Sequence, residues 1–360
     1  MTHRHILVTG GAGFIGSSLA IALKERRPKV RVTALDSLRR RGSELNLPRL
    51  RKAGVEFRHG DIRNPEDLAP PKDPYDLLIE CSAEPSALAG YDGQVQFVVN
   101  TNLIGTVNCL ELARACRADV LFLSTSRVYP VARLNALPVR ETASRFELTG
   151  DGTIAGVSAE GIAEAFPLDG SRTLYGATKL ASELLIEEYR QMFGLRAVVN
   201  RCGVVAGPWQ MGKVDQGVFT LWVLAHHFGR PLSYIGFGGT GKQVRDVLHV
   251  ADLIDLVEIQ IDQIGDLDGR VFNVGGGRAF SLSLRETTDL CHQVVGRSIA
   301  IGANEVTRPG DVRVYISDCA AITAATGWAP RREPAEVIAD ICGWVKRCEF
   351  GVREALDVPA

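Results

Sequence analysis

The sequence predicts an α/β fold, a doubly wound parallel sheet with a smaller domain interleaved towards the C-terminus. Two observations predict it. Short and almost purely apolar runs recur through the first third of the chain, separated by helical stretches of roughly 10–15 residues. A glycine-rich turn joins the first of these runs to the first helix. Crossovers between parallel strands put helices on both faces of a sheet, so the strands are buried on both sides and lose the apolar/polar alternation.

The elements follow in order. Ile6-Leu7-Val8 reads as the first strand, running into Gly10-Gly11. Phe14 to Arg27 reads as an amphipathic helix, stopped near Pro28 because proline lacks the N–H that would continue it. Val30 to Leu35, Val55-Glu56-Phe57, Leu77-Leu78-Ile79 and Val120 to Leu123 are the next four strands, with a helix carrying Leu103, Val107, Leu110 and Leu112 before the last. The stretch from Arg133 to Arg172 is rich in Gly, Ser, Thr and Asp and has no clear period. It reads as a long functional connection. A helix returns at Leu174 to Phe193, followed by strands at Ala197 to Arg201 and Val271 to Val274. Residues 1–202 and 241–279 are expected to form the sheet domain. Residues 203–240 and 280–355, with shorter elements and more Gly and Pro, are expected to form the smaller one.

Composition narrows the function. The 360 residues suffice for about two domains. Hydrophobic residues at 46% and charged residues at 23% match an ordinary soluble protein. The 41 Lys+Arg against 42 Asp+Glu leave no basic excess for nucleic acid or an anionic membrane. No apolar stretch approaches the ~18–20 residues of a membrane span. Met1-Thr2-His3-Arg4-His5 enters a strand directly, so no signal peptide is expected. The eight cysteines are scattered without a Cys-x-x-Cys pair, which predicts no disulfide framework, no metal site and a reducing, cytoplasmic location.

The glycine turn is the first candidate site. Gly11-Ala12-Gly13-Phe14-Ile15-Gly16, preceded by Gly10, has the spacing of a dinucleotide loop between a strand and a helix. Glycine permits the tight turn, the approach of a pyrophosphate and close helix–strand packing. The helix N-terminus offers that pyrophosphate free N–H groups and the positive end of its dipole. Asp36 ends the second strand twenty residues after Gly16, where a carboxylate accepts ribose hydroxyls and repels a 2′-phosphate; NAD is therefore expected over NADP. Arg39-Arg40-Arg41 reads as a solvated basic turn. Asp61-Ile62, after the third strand, suits the adenine amine and ring.

The second candidate is catalytic. Tyr175 and Lys179 are four residues apart on a predicted helix and share a face. A phenol ionises near pH 10, and neighbouring positive charge favours its phenolate. Ser124-Thr125-Ser126 ends the fifth strand, where ligands bind in parallel sheets.

Together these motifs resemble the extended short-chain dehydrogenase/reductase family, the nucleotide-sugar epimerases and dehydratases built on a Rossmann-type sheet. The resemblance spans nearly the whole chain and includes Asn102-Leu103-Ile104-Gly105-Thr106 on the central helix. It implies a bound NAD held by Gly10, Gly13, Phe14, Ile15, Gly16, Asp36, Asp61, Ile62, Cys81, Ser82, Ala83, Asn102, Tyr175 and Lys179. It implies Thr125 as the catalytic hydroxyl, Tyr175 as the base and Lys179 as the support of both phenolate and nicotinamide ribose. In the dehydratase branch, Asp-Glu follows the catalytic Thr. Here Ser126-Arg127 follow, so the acid and base for eliminating water are missing from their usual place, which suits an epimerase.

The second half is most similar to the branch that inverts C2 of CDP-sugars. Lys213-Val214-Asp215-Gln216-Gly217-Val218-Phe219, Gly241 to His249, and Arg308-Pro309-Gly310-Asp311 carry that similarity. It implies a nucleotide-diphosphate sugar against Glu84, Thr125, Gln216, Val218, Arg245 and Arg308, the two arginines clamping the diphosphate. It also implies a homo-oligomer, a dimer or tetramer. Two departures fall where the sugar is read: Glu80-Cys81-Ser82-Ala83-Glu84-Pro85 lacks the usual leading His, and Arg201-Cys202-Gly203-Val204 lacks an Asn. The alternatives are a UDP-sugar 4-epimerase, an NAD-dependent nucleotide-sugar dehydrogenase, which would accumulate NADH, and a non-catalytic NAD-sensing protein, which would have little reason to keep Thr125, Tyr175 and Lys179 together.

Overall fold

Alternate residues of the first strands point to opposite faces of one sheet, and both faces are covered. In the computed structural model, which describes residues 3–91, 93–150, 153–212 and 216–356, these strands are β1 (His5–Thr9), β2 (Arg31–Asp36), β3 (Glu56–His59), β4 (Leu77–Glu80) and β5 (Asp119–Thr125). Ile6, Val8, Leu77, Ile79 and Leu121 pack against Leu19 and Leu23 of helix α1 (Phe14–Arg26) and against Leu253 and Val257 of the helix Val250–Asp262. Leu7, Leu78, Val120 and Phe122 face the other way. They meet Leu110 of the helix Gly105–Cys116 and Ile186 of the helix Leu174–Phe193. Each such side chain contributes roughly 1.5–3 kcal/mol on burial, which is why strands this short hold together.

Strands Ala197–Cys202 and Val271–Val274 complete a seven-stranded sheet in the order Val271–Val274, Ala197–Cys202, β5, β4, β1, β2, β3. All neighbours run parallel. The strand order reverses at β1, so the carboxyl ends of β1, β4 and β5 flank a crevice, where ligands of such sheets bind. Thr9 pairs with Glu80, Glu80 with Phe122, and Thr125 with Cys202.

Three segments differ from expectation, the third in the second sheet described below. The connection read from Arg133 to Arg172 is built rather than irregular. It contains the short helix Val131–Asn135 and two small hairpins, Val139–Glu141 with Phe146–Leu148 and Val157–Ser158 with Gly161–Ile162. Phe146, Leu148, Val157, Ile162 and Phe166 form a core with Tyr129, Val314 and Tyr315. Strands of two or three residues are too short to show a period. The helix before β5 also begins earlier than its apolar residues suggest: Val95–Val99 runs through a π-helical turn, Asn100–Ile104, into Gly105–Cys116.

A second sheet lies beyond the crevice. Val204–Ala206 pairs with Val244–His249, which also pairs antiparallel with Ser281–Ser283 and parallel with Val314–Tyr315. Strand Val244–His249 therefore stands in this sheet, although residues 241–279 were expected with the larger one. The chain crosses back at His249, whose Nδ1 accepts from Ala251 N at 3.0 Å and caps the helix Val250–Asp262. That helix is tied to α1 by Arg26–Asp255 at 2.9 Å and Arg27–Asp262 at 2.8 Å. Among the described residues, no helix is long and apolar enough to cross a membrane, and no group of His, Cys, Asp or Glu could hold a metal ion. All eight cysteines are free thiols.

Candidate active site

The cleft between the two sheets has a volume of ≈ 1090 Å³. Its first wall is the turn after β1. Gly10 has φ +62°, and a Cβ there would lie 2.9 Å from the Cys81 carbonyl carbon at the end of β4. At Gly16, a Cβ would come within 2.1 Å of Gly10 O, so only glycine lets helix and turn approach this closely. Gly13 is also tight, a Cβ there lying 3.1 Å from Gly10 O, and it caps α1 without a side chain, leaving first-turn N–H groups without an intrahelical partner beside the cleft. Gly11, read from the sequence as the first glycine of the loop, instead packs inward: its Cβ would sit 2.6 Å from Ala34 Cβ. The loop that faces the cleft is thus Gly10-x-x-Gly13-x-x-Gly16.

Asp36 lines the same wall and also holds it in place. Its Oδ2 accepts from Ala12 N at 3.0 Å and its Oδ1 from Leu38 N at 2.8 Å. Burial pushes its carboxyl pKa up, and these backbone donors oppose the rise. Asp61 is engaged by Arg63, whose Nε donates to both carboxylate oxygens at 2.9 and 3.0 Å and holds its pKa down. Ile62 lines the cleft beside it and packs where a Cβ on Gly105 would stand, 2.5 Å from Ile62 Cδ1. The basic turn is not simply solvated. Arg39, Arg40 and Arg41 all line the cleft, and Arg39 lies 4.3 Å from the Phe97 ring centroid.

Cys81, Ser82, Ala83 and Glu84 follow β4 along the floor. Asn102 does not reach the cleft but fixes this floor. Fully buried, it accepts from Glu84 N at 2.7 Å through Oδ1, and through Nδ2 it donates to Glu84 O at 3.1 Å and Thr178 Oγ1 at 3.3 Å. It sits in the π-helical turn, where the widened backbone turns its side chain towards two other elements.

Thr125 ends β5 and Tyr175 opens the long helix, whose first turn is capped by Thr173 Oγ1 accepting from Gly176 N at 3.3 Å. Both line the cleft. Burial pushes the Tyr175 pKa up to about 12. It stands there although Thr125 and the charge of Arg127 oppose the rise, to which Cys202 and Glu84 add. Lys179, one turn on, is fully buried with its Nζ 3.7 Å from the Phe122 ring centroid. Burial pulls its pKa down, against the opposing pull of Glu80 and Glu183. Glu80 is sealed beneath it with one oxygen on Thr106 Oγ1 at 3.2 Å and the other without a partner.

Across the cleft stand Gln216, Val218, Arg245 and Arg308. Arg245 donates to Val244 O and Val312 O, each at 2.7 Å, and burial pulls its pKa down to about 10. Lys213, Val214 and Asp215 of the same run lie outside the described residues. Phe97, Trp222, Ser233 and Leu282 also line this cleft and were not anticipated. Leu282 pairs with Arg245 across strands far apart in sequence, which no local pattern signals.

A dinucleotide fits the first wall on three counts: an uncapped helix start, a turn that only glycine can form, and a carboxylate at the end of β2. The sequence profile of the NAD dependent epimerase/dehydratase family matches residues 6–275. CDP-paratose 2-epimerase of Salmonella typhi is 30% identical over 355 residues, covering 94% of this chain and 98% of that one. A dTDP-glucose 4,6-dehydratase of Streptomyces antibioticus is 29% identical, covering 95% of this chain and 92% of the relative. Among solved structures, the UDP-glucose 4-epimerase of Thermus thermophilus in complex with NAD superposes with a TM-score of 0.76 at 25% identity, covering 95% of this chain and 99% of that one.

Proposed function

The chain belongs to the NAD dependent epimerase/dehydratase family, and from that membership we propose that it is a nucleotide-sugar epimerase acting at C2 of a CDP-sugar. The observation that carries epimerisation over dehydration is the sequence after Thr125. Ser126 and Arg127 stand in the cleft where elimination needs a carboxylic acid and a carboxylate. The likeness to CDP-paratose 2-epimerase over nearly the full length supports the choice of sugar nucleotide and carbon.

Gly10, Gly13, Phe14, Ile15 and Gly16 would hold the pyrophosphate of NAD, Asp36 its ribose, and Asp61 with Ile62 its adenine. Cys81, Ser82 and Ala83 would flank the nicotinamide, over a floor fixed by Asn102. NAD bound there supplies a reversible hydride acceptor, so a ring carbon can be oxidised and restored with the opposite configuration. Thr125 orients the sugar hydroxyl, and Tyr175 takes its proton and later returns it. Lys179 supports the ionised phenol. Arg245 and Arg308 grip the diphosphate, with Gln216 and Val218 beside the base. A firmly held diphosphate leaves the sugar free to turn over in a cleft this wide. Residues 203–240 and 280–355 serve as the substrate-binding part and residues 1–202 and 241–279 as the NAD-binding part, except that strand Val244–His249 stands in the second sheet and brings Arg245 to the substrate side.

We read the protein as a homo-oligomer in a reducing compartment. Exposed apolar side chains at Ile104, Leu184 and Met192, on neighbouring helices, support the first, and eight free thiols the second. The test is a panel of CDP-, UDP-, GDP- and dTDP-sugars followed by NMR of the products. A C2 epimer formed only from a CDP-sugar is expected. A C4 epimer of a UDP-sugar, or steady accumulation of NADH, would replace this reading with the 4-epimerase or dehydrogenase alternative.

A further inference from the structure

Arg127 occupies the place of the dehydratase carboxylate, and it is not a surface arginine. Its backbone N donates to Thr125 Oγ1 at 3.2 Å, and both residues line the cleft with Tyr175. Its carbonyl oxygen lies 2.0 Å from where a Cβ on Gly176 would stand, which wedges the residue against the first turn of the long helix, beside Tyr175. The guanidinium donates one hydrogen bond, from Nη1 to Gly310 O at 2.7 Å. It makes no other side-chain hydrogen bond or ion pair among the described residues. The remaining N–H groups belong to a residue that lines the cleft with Tyr175, Glu84 and Asp311.

A desolvated guanidinium with unused donors is costly unless a ligand supplies the acceptors. The carboxylate that offsets its burial is Asp311, with Tyr175 the other group favouring its charge. Lys179 stands differently. It lies against the Phe122 ring, and the carboxylates acting on it are Glu80 and Glu183, both buried away from the cleft lining.

We propose that Arg127 is a second cation of the active centre, offering N–H groups to an oxygen of the sugar beside the reacting carbon and stabilising Tyr175 in its ionised form. The substrate class follows: a nucleotide sugar that keeps an oxygen acceptor, hydroxyl or carboxylate, next to the carbon that is inverted. An arginine suits this role because it stays charged when desolvated and presents several donors in one plane. The groups acting on Tyr175 are Thr125 at the end of β5, Arg127 in the turn after it, Cys202 on the adjoining strand and Glu84 after β4. Those facing Arg127 are Asp311, Tyr175 and Arg245.

The inference rests on Tyr175 as the base, and an ultraviolet difference titration of the NAD-loaded protein separates the two claims. Wild type minus Tyr175→Phe isolates the ionisation of Tyr175. The same difference in the Arg127→Met background, Arg127→Met minus Arg127→Met/Tyr175→Phe, should show that ionisation displaced upward by about one pH unit or more, the effect of losing a cation at close range. Arg127→Lys should restore most of the displacement. Arg127→Gln serves the same comparison if the Met variant does not fold. Superimposed curves for wild type and the Arg127 variants would overturn the proposal while leaving the base intact. A wild-type Tyr175 that titrates no earlier than an ordinary phenol would remove both.

Discussion

Burial holds Tyr175 in its protonated form, and added positive charge must reverse that. Desolvation is the main reason the phenol stands at about 12, even with Thr125 and Arg127 acting in the opposite direction. Because the active form is the phenolate, turnover should rise with pH through the Tyr175 ionisation and level off above it. Bound NAD adds a further positive charge and moves this limb lower. Tyr175→Phe should reduce turnover by roughly 10²–10⁴-fold, the range of a lost general base, with NAD content unchanged; unchanged turnover would remove Tyr175 from the chemistry. Asp36 offers a second test, since Arg39 and Arg40 line the same end of the cleft. Asp36→Ser removes the charge that opposes a 2′-phosphate, and the ratio of NADP to NAD affinity should rise about tenfold, or about 1.4 kcal/mol. Fluorescence titration with both nucleotides reads it, and an unaltered ratio would detach Asp36 from cofactor choice.

At the scale of elements, the long helix carries the catalytic pair at its first turn and is anchored at its last. Arg190 donates to Asp268 through Nε at 2.8 Å and Nη2 at 2.9 Å, and Asp268 Oδ1 also accepts from Ala197 N at 2.9 Å, where the next strand begins. The Arg190 bonds hold the Asp268 carboxyl below the usual range. A carboxyl with a depressed pKa stabilises the fold above its unfolded pKa, and the contribution disappears as pH falls through the folded one. Asp268→Asn should therefore lower the melting temperature by ~1–3 °C at neutral pH, the group being partly exposed. The gap between variant and wild type should narrow and close as the pH falls below the ordinary carboxylate range and through the depressed pKa of Asp268. A gap that persists in acid would mean the loss comes from packing rather than charge.

Over the whole molecule, what the sequence makes legible is what lies close together along it. The glycine turn, Asp36, Thr125 and the Tyr175–Lys179 pair are each set by a few consecutive residues at the ends of regular elements. The purely apolar strands announce a sheet covered on both faces. What stays hidden depends on distant partners. Asn102 is named by the family resemblance, but that it acts from beneath the cleft shows only once Glu84 and Thr178 are seen on either side of it. Arg127 is visible only as a missing carboxylate until Gly310 and Gly176 place it. The hairpins within 133–172 are too short for a period, and strand Val244–His249 gains its partners from residues 204–206, 281–283 and 314–315. The central claim is that the configuration is inverted by oxidation and internal return of the same hydrogen. It is tested most directly by running the reaction in D2O with the CDP-sugar that is turned over and reading the product by NMR. The expected product carries protium at the inverted carbon, with no net NADH. Substantial deuterium at that carbon would contradict the mechanism and point to enolisation instead.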